Sequence, residues 1–205
     1  MFELVFKPLN YLAIKWEVEG KISKKTFDYF IPLIISVLIS LLLVGMECYF
    51  SSRITEDVDV NIFASDISSL LAGFLQTIPG FYIAALAAIA TLTSPTMDRD
   101  MDGVAPTYEI DSIDVDGNPI KKDEPLKRRG FLARLFAYLS FISLIAYFSI
   151  LILRYIYKLD ILAVEQLTYS IVYFICLTAF NFLLVQLMLL TFLGLYYLGQ
   201  RIHEN

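Results

Sequence analysis

Four long apolar runs, separated by stretches that hold nearly all the charge, constrain this chain more than any other feature of it. Each run could cross about 30 Å of hydrocarbon as a helix, and a charge midway along such a helix costs roughly 3 kcal/mol or more. Crowding the charges into the gaps is therefore what a bilayer imposes. The 205 residues are 58% hydrophobic and 18% charged, with mean hydropathy +0.66, above the composition of a soluble domain. The expected fold is an all-α integral membrane protein with four transmembrane helices, both termini in the cytosol and a small β-hairpin-like cytosolic loop between helices 2 and 3.

Residues 1–29 form an N-terminal segment too polar to span. Trp16 beside Lys15, followed by Lys21, Lys24 and Lys25, suits a segment lying along headgroups, where indoles and lysines find apolar and wet surroundings together. The apolar run at residues 2–6 is too short for a signal peptide, so the first span is expected to act as the uncleaved insertion signal. Residues 30–93 hold spans 1 and 2. Span 1 covers residues 30–50, with Pro32 near one end and Glu47 near the other; an acid there is either an interfacial carboxylate or part of an ion path. Span 2 begins at an N-cap offered by Ser65 and Asp66 and stops before Pro95. Within it Ala72, Gln76, Gly80, Ala84 and Ala88 recur every four residues, a stripe where another helix could approach closely, and Pro79 is expected to kink the helix.

Residues 130–205 hold spans 3 and 4 and a tail. The third span follows Lys127, Arg128 and Arg129. The fourth apolar run, residues 161–197, would be about 55 Å long as one helix, so it must tilt, break or project from the membrane. Asn181 and Gln186 lie deep within it, where amides seek interhelical partners or line a pore. Five Lys in the N-terminal segment, seven Lys and Arg across residues 94–134 and Arg201 stand against Arg53, Arg154 and Lys158 in the other connections. That asymmetry places both ends and the middle loop in the cytosol.

The loop at residues 94–129 is the one sizeable element outside the membrane. Tyr108, Ile110, Ile113 and Val115 precede the turn composition Asp116-Gly117-Asn118-Pro119, which predicts a hairpin returning through residues 120–122. So small a hairpin is marginal alone. A neighbouring subunit, the membrane surface or a cytosolic protein is expected to hold it, through Asp98, Asp100, Asp102, Glu109, Lys121, Lys122, Arg128 and Arg129. The basic members of that set would also suit anionic lipid, or serve only to orient span 3. Asp98, Asp100, Asp102, Gly103 and Glu109 also match the calcium-loop pattern D-x-D-x-D-G-x5-E. Its setting is poor, because Pro95 interrupts the entering helix and the residues that follow read as strand. A solvated acidic turn is the expectation, with no metal.

A net charge of -5 and a pI near 4.9 disfavour direct nucleic-acid binding. Cys48 and Cys176 fall within apolar runs, where a thiol acts as a small hydrophobe. His203 is the sole histidine and sits in the tail, without the company that catalysis or metal binding would need. Neither an enzyme nor a cofactor is expected. A membrane sensor or scaffold, an oligomeric pore that depolarises the cell and a transporter subunit remain. The transporter lacks repeats, and Thr178, Asn181 and Gln186 do not share the narrow face a pore needs.

Residues 84–91 (AALAAIAT), Met97-Asp98 through Pro106-Thr107, and Arg128-Arg129-Gly130-Phe131-Leu132 opening a span resemble small four-helix membrane proteins of bacterial antiphage defence operons. In layout the chain is most similar to the membrane subunits of Kiwa systems. The resemblance implies a homo-oligomer in the bacterial inner membrane that senses envelope perturbation and works with a cytosolic, DNA-binding partner encoded nearby. It assigns no residue a role.

Overall fold

The computed structural model describes residues 2–18, 22–51, 61–100, 106–113, 119–159 and 166–199. A short helix α1 (Phe2–Val5) leads into a 3-10 helix, Lys7–Ala13, whose first turn holds Pro8 where a missing N–H costs nothing. Strands β1 (Glu17–Val18) and β2 (Ile22–Ser23) pair antiparallel, Val18 opposite Ile22. A π-helical turn, Thr26–Phe30, then runs into α2 (Ile31–Ser51). There Pro32 falls in the first turn of α2, where its missing N–H costs least.

The remaining long helices are α3 (Asp66–Thr91), α4 (Arg128–Lys158) and α5 (Gln166–Gly199). All four are long and apolar enough to cross a membrane. Between α3 and α4 lie a 3-10 turn, Pro95–Asp98, and the antiparallel pair β3 (Thr107–Ile113) and β4 (Pro119–Pro125), registered with Thr107 opposite Pro125 and Ile113 opposite Pro119. The expected hairpin is present, and its second strand continues three residues beyond Lys122. Val115 and the turn residues Asp116, Gly117 and Asn118 lie outside the described residues.

The chain divides into two compact units. One comprises residues 1–28, 81–141 and 190–205, the other residues 29–80 and 142–189. The core of the first is aromatic. Tyr11, fully buried, stacks on Tyr138 with ring centroids 5.1 Å apart, and Trp16 meets Phe131 edge-on at 5.1 Å and Tyr197 at 5.6 Å. Such pairs add about 0.5–1.5 kcal/mol each beyond the area they bury. Gly194 packs closely nearby: a Cβ there would sit 3.1 Å from the Phe136 ring, which would have to give by a few tenths of an ångström. The core of the second unit centres on Phe63, fully buried between the rings of Tyr157, Tyr173 and Phe180.

Several expectations change. Trp16 and Lys24 do not face outward: their side chains are buried, Trp16 among the rings named above and Lys24 over the Tyr11 ring, 4.1 Å from its centroid. Ser65 turns its hydroxyl back to the Ile62 carbonyl at 2.8 Å. Within the described part of the fourth apolar run α5 is continuous over 34 residues, about 51 Å, which leaves tilt or projection to accommodate its length.

The small-residue stripe on α3 lies mostly outside the packing of the single chain. Ser68, Ala72, Leu75, Pro79, Tyr82 and Ile89 are the residues α3 buries, while Gln76, Gly80, Ala84 and Ala88 are exposed. A Cβ built on Gly80 would meet nothing within 4 Å. Within one chain the helix turns its bulkier ridge inward, anchored by the hydrogen bond between Tyr82 and Thr191.

Candidate functional site

The root of the hairpin is where the chain concentrates its polar chemistry. Helix α3 ends with carbonyls that have no intrahelical donor, and Pro95 forces a turn that brings Asp98 back beneath them. Arg129, in the first turn of α4, closes this arrangement. Its Nη1 donates to the Ile89 carbonyl at 2.7 Å and its Nη2 to the Leu92 carbonyl at 2.8 Å. Nε and Nη2 also take both Asp98 carboxylate oxygens, at 2.9 and 3.1 Å. A planar five-donor fork is the one side chain that meets such a set at once. The guanidinium beside Asp98 holds that carboxyl below its ordinary range.

A second clasp joins the N-terminal segment to the hairpin. The Lys15 N–H donates to the Thr107 carbonyl at 2.8 Å and the Thr107 N–H to the Lys15 carbonyl at 2.9 Å, so one residue of a third strand pairs with β3. The Lys15 ammonium lies 2.8 Å from Glu109 and 3.2 Å from Asp123, and Lys121 reaches Glu109 at 3.4 Å. These contacts raise the Lys15 pKa, Glu109 first, and lower that of Glu109, Lys15 first. Arg134 of α4 lies over the Tyr108 ring, 3.9 Å from its centroid.

Deeper in the same unit Lys24 and Asp28, one helical turn apart in sequence, pair at 2.5 Å with side chains 6% and 1% exposed. The Tyr11 hydroxyl donates to Asp28 at 3.5 Å, and the Lys24 N–H to the Trp16 carbonyl at 3.0 Å. Burial pushes the Tyr11 hydroxyl well up and pulls the Lys24 ammonium down, with Asp28 opposing the latter.

Of the eight residues expected at a docking surface, Asp98 and Arg129 bond each other, and Glu109 and Lys121 bond each other. Asp100 is exposed and bridges Lys127 through the backbone, Arg128 donates its N–H to the Arg99 carbonyl, and Lys122 is exposed on β4. Asp102 lies outside the described residues, as do Gly103 and His203. The first and last acids of the calcium pattern thus face separate cations. No group of three or more metal-ligating side chains occurs among the described residues. Lys15, Asp123, Lys24 and Asp28 were missed; only the last two carried a sequence signal, their i, i+4 spacing.

In the second unit Asn181 donates to the Ser40 hydroxyl at 2.9 Å, and Gln186 is 1% exposed. Glu47 accepts the Tyr173 hydroxyl, Asn61 donates to the Tyr169 hydroxyl at 2.8 Å, and Arg154 to Ser69 at 2.7 Å. Among known proteins, no family model, no curated sequence and no solved structure matches the chain.

Proposed function

We propose that this chain is a sensor and scaffold subunit of a bacterial antiphage defence system, assembled as a homo-oligomer in the inner membrane. Its helices respond to perturbation of the bilayer, and its hairpin, on the cytosolic side, docks a cytosolic protein. The observation that carries this reading is the Arg129 clamp. One side chain ties the last carbonyls of α3 to the loop and to the start of α4, so a shift of either helix moves the root of the hairpin. The distribution of Lys and Arg supports the cytosolic placement, and the resemblance noted above supports the setting. The exposed stripe of Gln76, Gly80, Ala84 and Ala88 is where copies of the chain would pack.

The pore alternative places Asn181 and Gln186 against a water path. Their burial, and the bond from Asn181 to Ser40, favours a packing role for both. Expression of the chain alone, with membrane potential followed by a voltage-sensitive dye, separates the two readings. A scaffold leaves the potential intact. Rapid depolarisation without any partner would establish the pore and reject the scaffold.

A further inference from the structure

In the first unit the N-terminal segment runs lengthwise against α4. The Trp16 ring meets Phe131 at 5.1 Å, Tyr11 stacks on Tyr138 at the same distance, and Phe6 meets Phe141 edge-on at 6.2 Å. From Trp16 back to Phe6 the segment therefore follows α4 from Phe131 to Phe141, about 15 Å. Arg134 and Arg154 bracket the apolar stretch of α4, and the helix between them is about 30 Å long, the thickness of a hydrocarbon core. Phe141 lies about 10 Å beyond Arg134 along that stretch. Where the segment reaches this level its side chains stop packing. Leu4, Val5 and Phe6 are 63%, 56% and 51% exposed, whereas Tyr11, Ile14 and Trp16 are buried.

We infer that Leu4, Val5 and Phe6 insert among the lipid acyl chains of the leaflet on the hairpin side, as a wedge about 5–10 Å below the headgroup boundary. The inference rests on α4 spanning the bilayer, for which it is long and apolar enough, and it gives the proposed sensor its point of contact with lipid. Depth is fixed by the contact of Phe6 with Phe141, inside the stretch that Arg134 and Arg154 delimit. Direction follows from the same contact, because Phe141 shares a helix face with Leu144, Ile145 and Phe148, all exposed apolar residues. Such a face meets lipid. A second copy is a poorer occupant, since the three side chains expose about 300 Å² together and a stable interface takes roughly 800 Å² per partner. Lys7, exposed directly after the wedge, has a stem long enough to bring its ammonium to the headgroup phosphates. The other end of the segment is pinned through Lys15 to Thr107 and Glu109, so a change in how the wedge sits reaches the hairpin.

The test uses the full chain in nanodiscs of phosphatidylethanolamine and phosphatidylglycerol, with Cys48 and Cys176 replaced by Ser. One nitroxide is attached at a time, at Val5→Cys, Phe148→Cys or Lys122→Cys. Its collisions with oxygen, which concentrates in hydrocarbon, are compared with those of a water-soluble nickel chelate. The oxygen-to-nickel ratio at Val5 should exceed that at Lys122, exposed on β4, several-fold and approach that at Phe148. Leu4→Cys serves if Val5→Cys does not purify as a monodisperse protein. A ratio at Val5 equal to that at Lys122 would place the segment in water and overturn the inference. So would low collision with both reagents, or dipolar broadening between Val5 labels, either of which would show the patch covered by protein. The Phe148 label separates the two levels: nickel access there refutes the spanning reading itself, whereas a hydrocarbon signal at Phe148 with nickel access at Val5 refutes only the wedge.

Discussion

Replacing Lys24 by Met should cost about 3–5 kcal/mol, because it strands Asp28, whose side chain is 1% exposed, without its counter-charge. Asp28→Leu should cost a similar amount by stranding Lys24. The double variant Lys24→Met/Asp28→Leu should recover most of the loss, since two apolar side chains need no compensating charge in that site. Tyr11→Phe should cost about 1 kcal/mol or less, because its hydroxyl contact to Asp28 is long, at 3.5 Å. The assay is unfolding by SDS titration in mild detergent, followed by the fluorescence of Trp16, the only tryptophan in the chain. Trp16 accepts the backbone N–H of Lys24 and is 8% exposed. Its emission should therefore shift red, and become open to acrylamide quenching, in each single variant before global unfolding. Additive losses in the double variant, or a Lys24→Met loss of under about 1 kcal/mol, would show that the pair is solvated and refute the reasoning.

Three further outcomes are expected. Asn181→Ala should cost about 0.6–1.7 kcal/mol, and Ser40→Ala added to it almost nothing more, measured by the same titration. The contact of Lys15 with Glu109 and Asp123 should hold across neutral pH: Glu109 has its pKa lowered in the fold, so its contribution is present above its unfolded value near about 4.3 and fades as pH falls through the lower folded one, while that of Lys15, raised in the fold, persists to above about 10.4. Spin-label distances between Leu12→Cys and Lys122→Cys should thus lengthen in acid and in strong base, and a constant distance down to pH 2 would contradict this. Lys122→Cys should react with a membrane-impermeant maleimide in inside-out vesicles and not in right-side-out ones; the reverse result would invert the orientation.

The four long apolar helices and the hairpin were legible in the sequence because each depends on local composition alone: about twenty mostly apolar residues, or alternating residues ahead of a turn. The inward face of α3 was not. Nearly every position of that helix is apolar or small, so periodicity cannot separate the ridge of Leu75, Pro79 and Tyr82 from the stripe of Gly80, Ala84 and Ala88. The site was legible in composition and not in pairing. Asp98, Glu109, Lys121 and Arg129 stood out as a charged cluster, yet Asp98 and Arg129 are 31 residues apart and Lys15 and Asp123 are 108 apart. Proximity at such separations is created by the fold. Trp16 shows the same limit, since an indole beside lysines suits a headgroup layer until Phe131 and Tyr197 offer it a dry pocket.

The coupling of the helices to the hairpin is tested most directly by a distance measured across the Arg129 clamp. Spin labels at Leu92→Cys and Lys122→Cys, in a chain with Cys48 and Cys176 replaced by Ser, report the end of α3 against β4. With Arg129 in place, osmotic swelling of the vesicles should shift one narrow distance distribution to another. In Arg129→Ala the distribution should be broad and unresponsive. A narrow distribution in the Arg129 chain that stays fixed under tension would contradict the proposal that the hairpin follows α3 and α4.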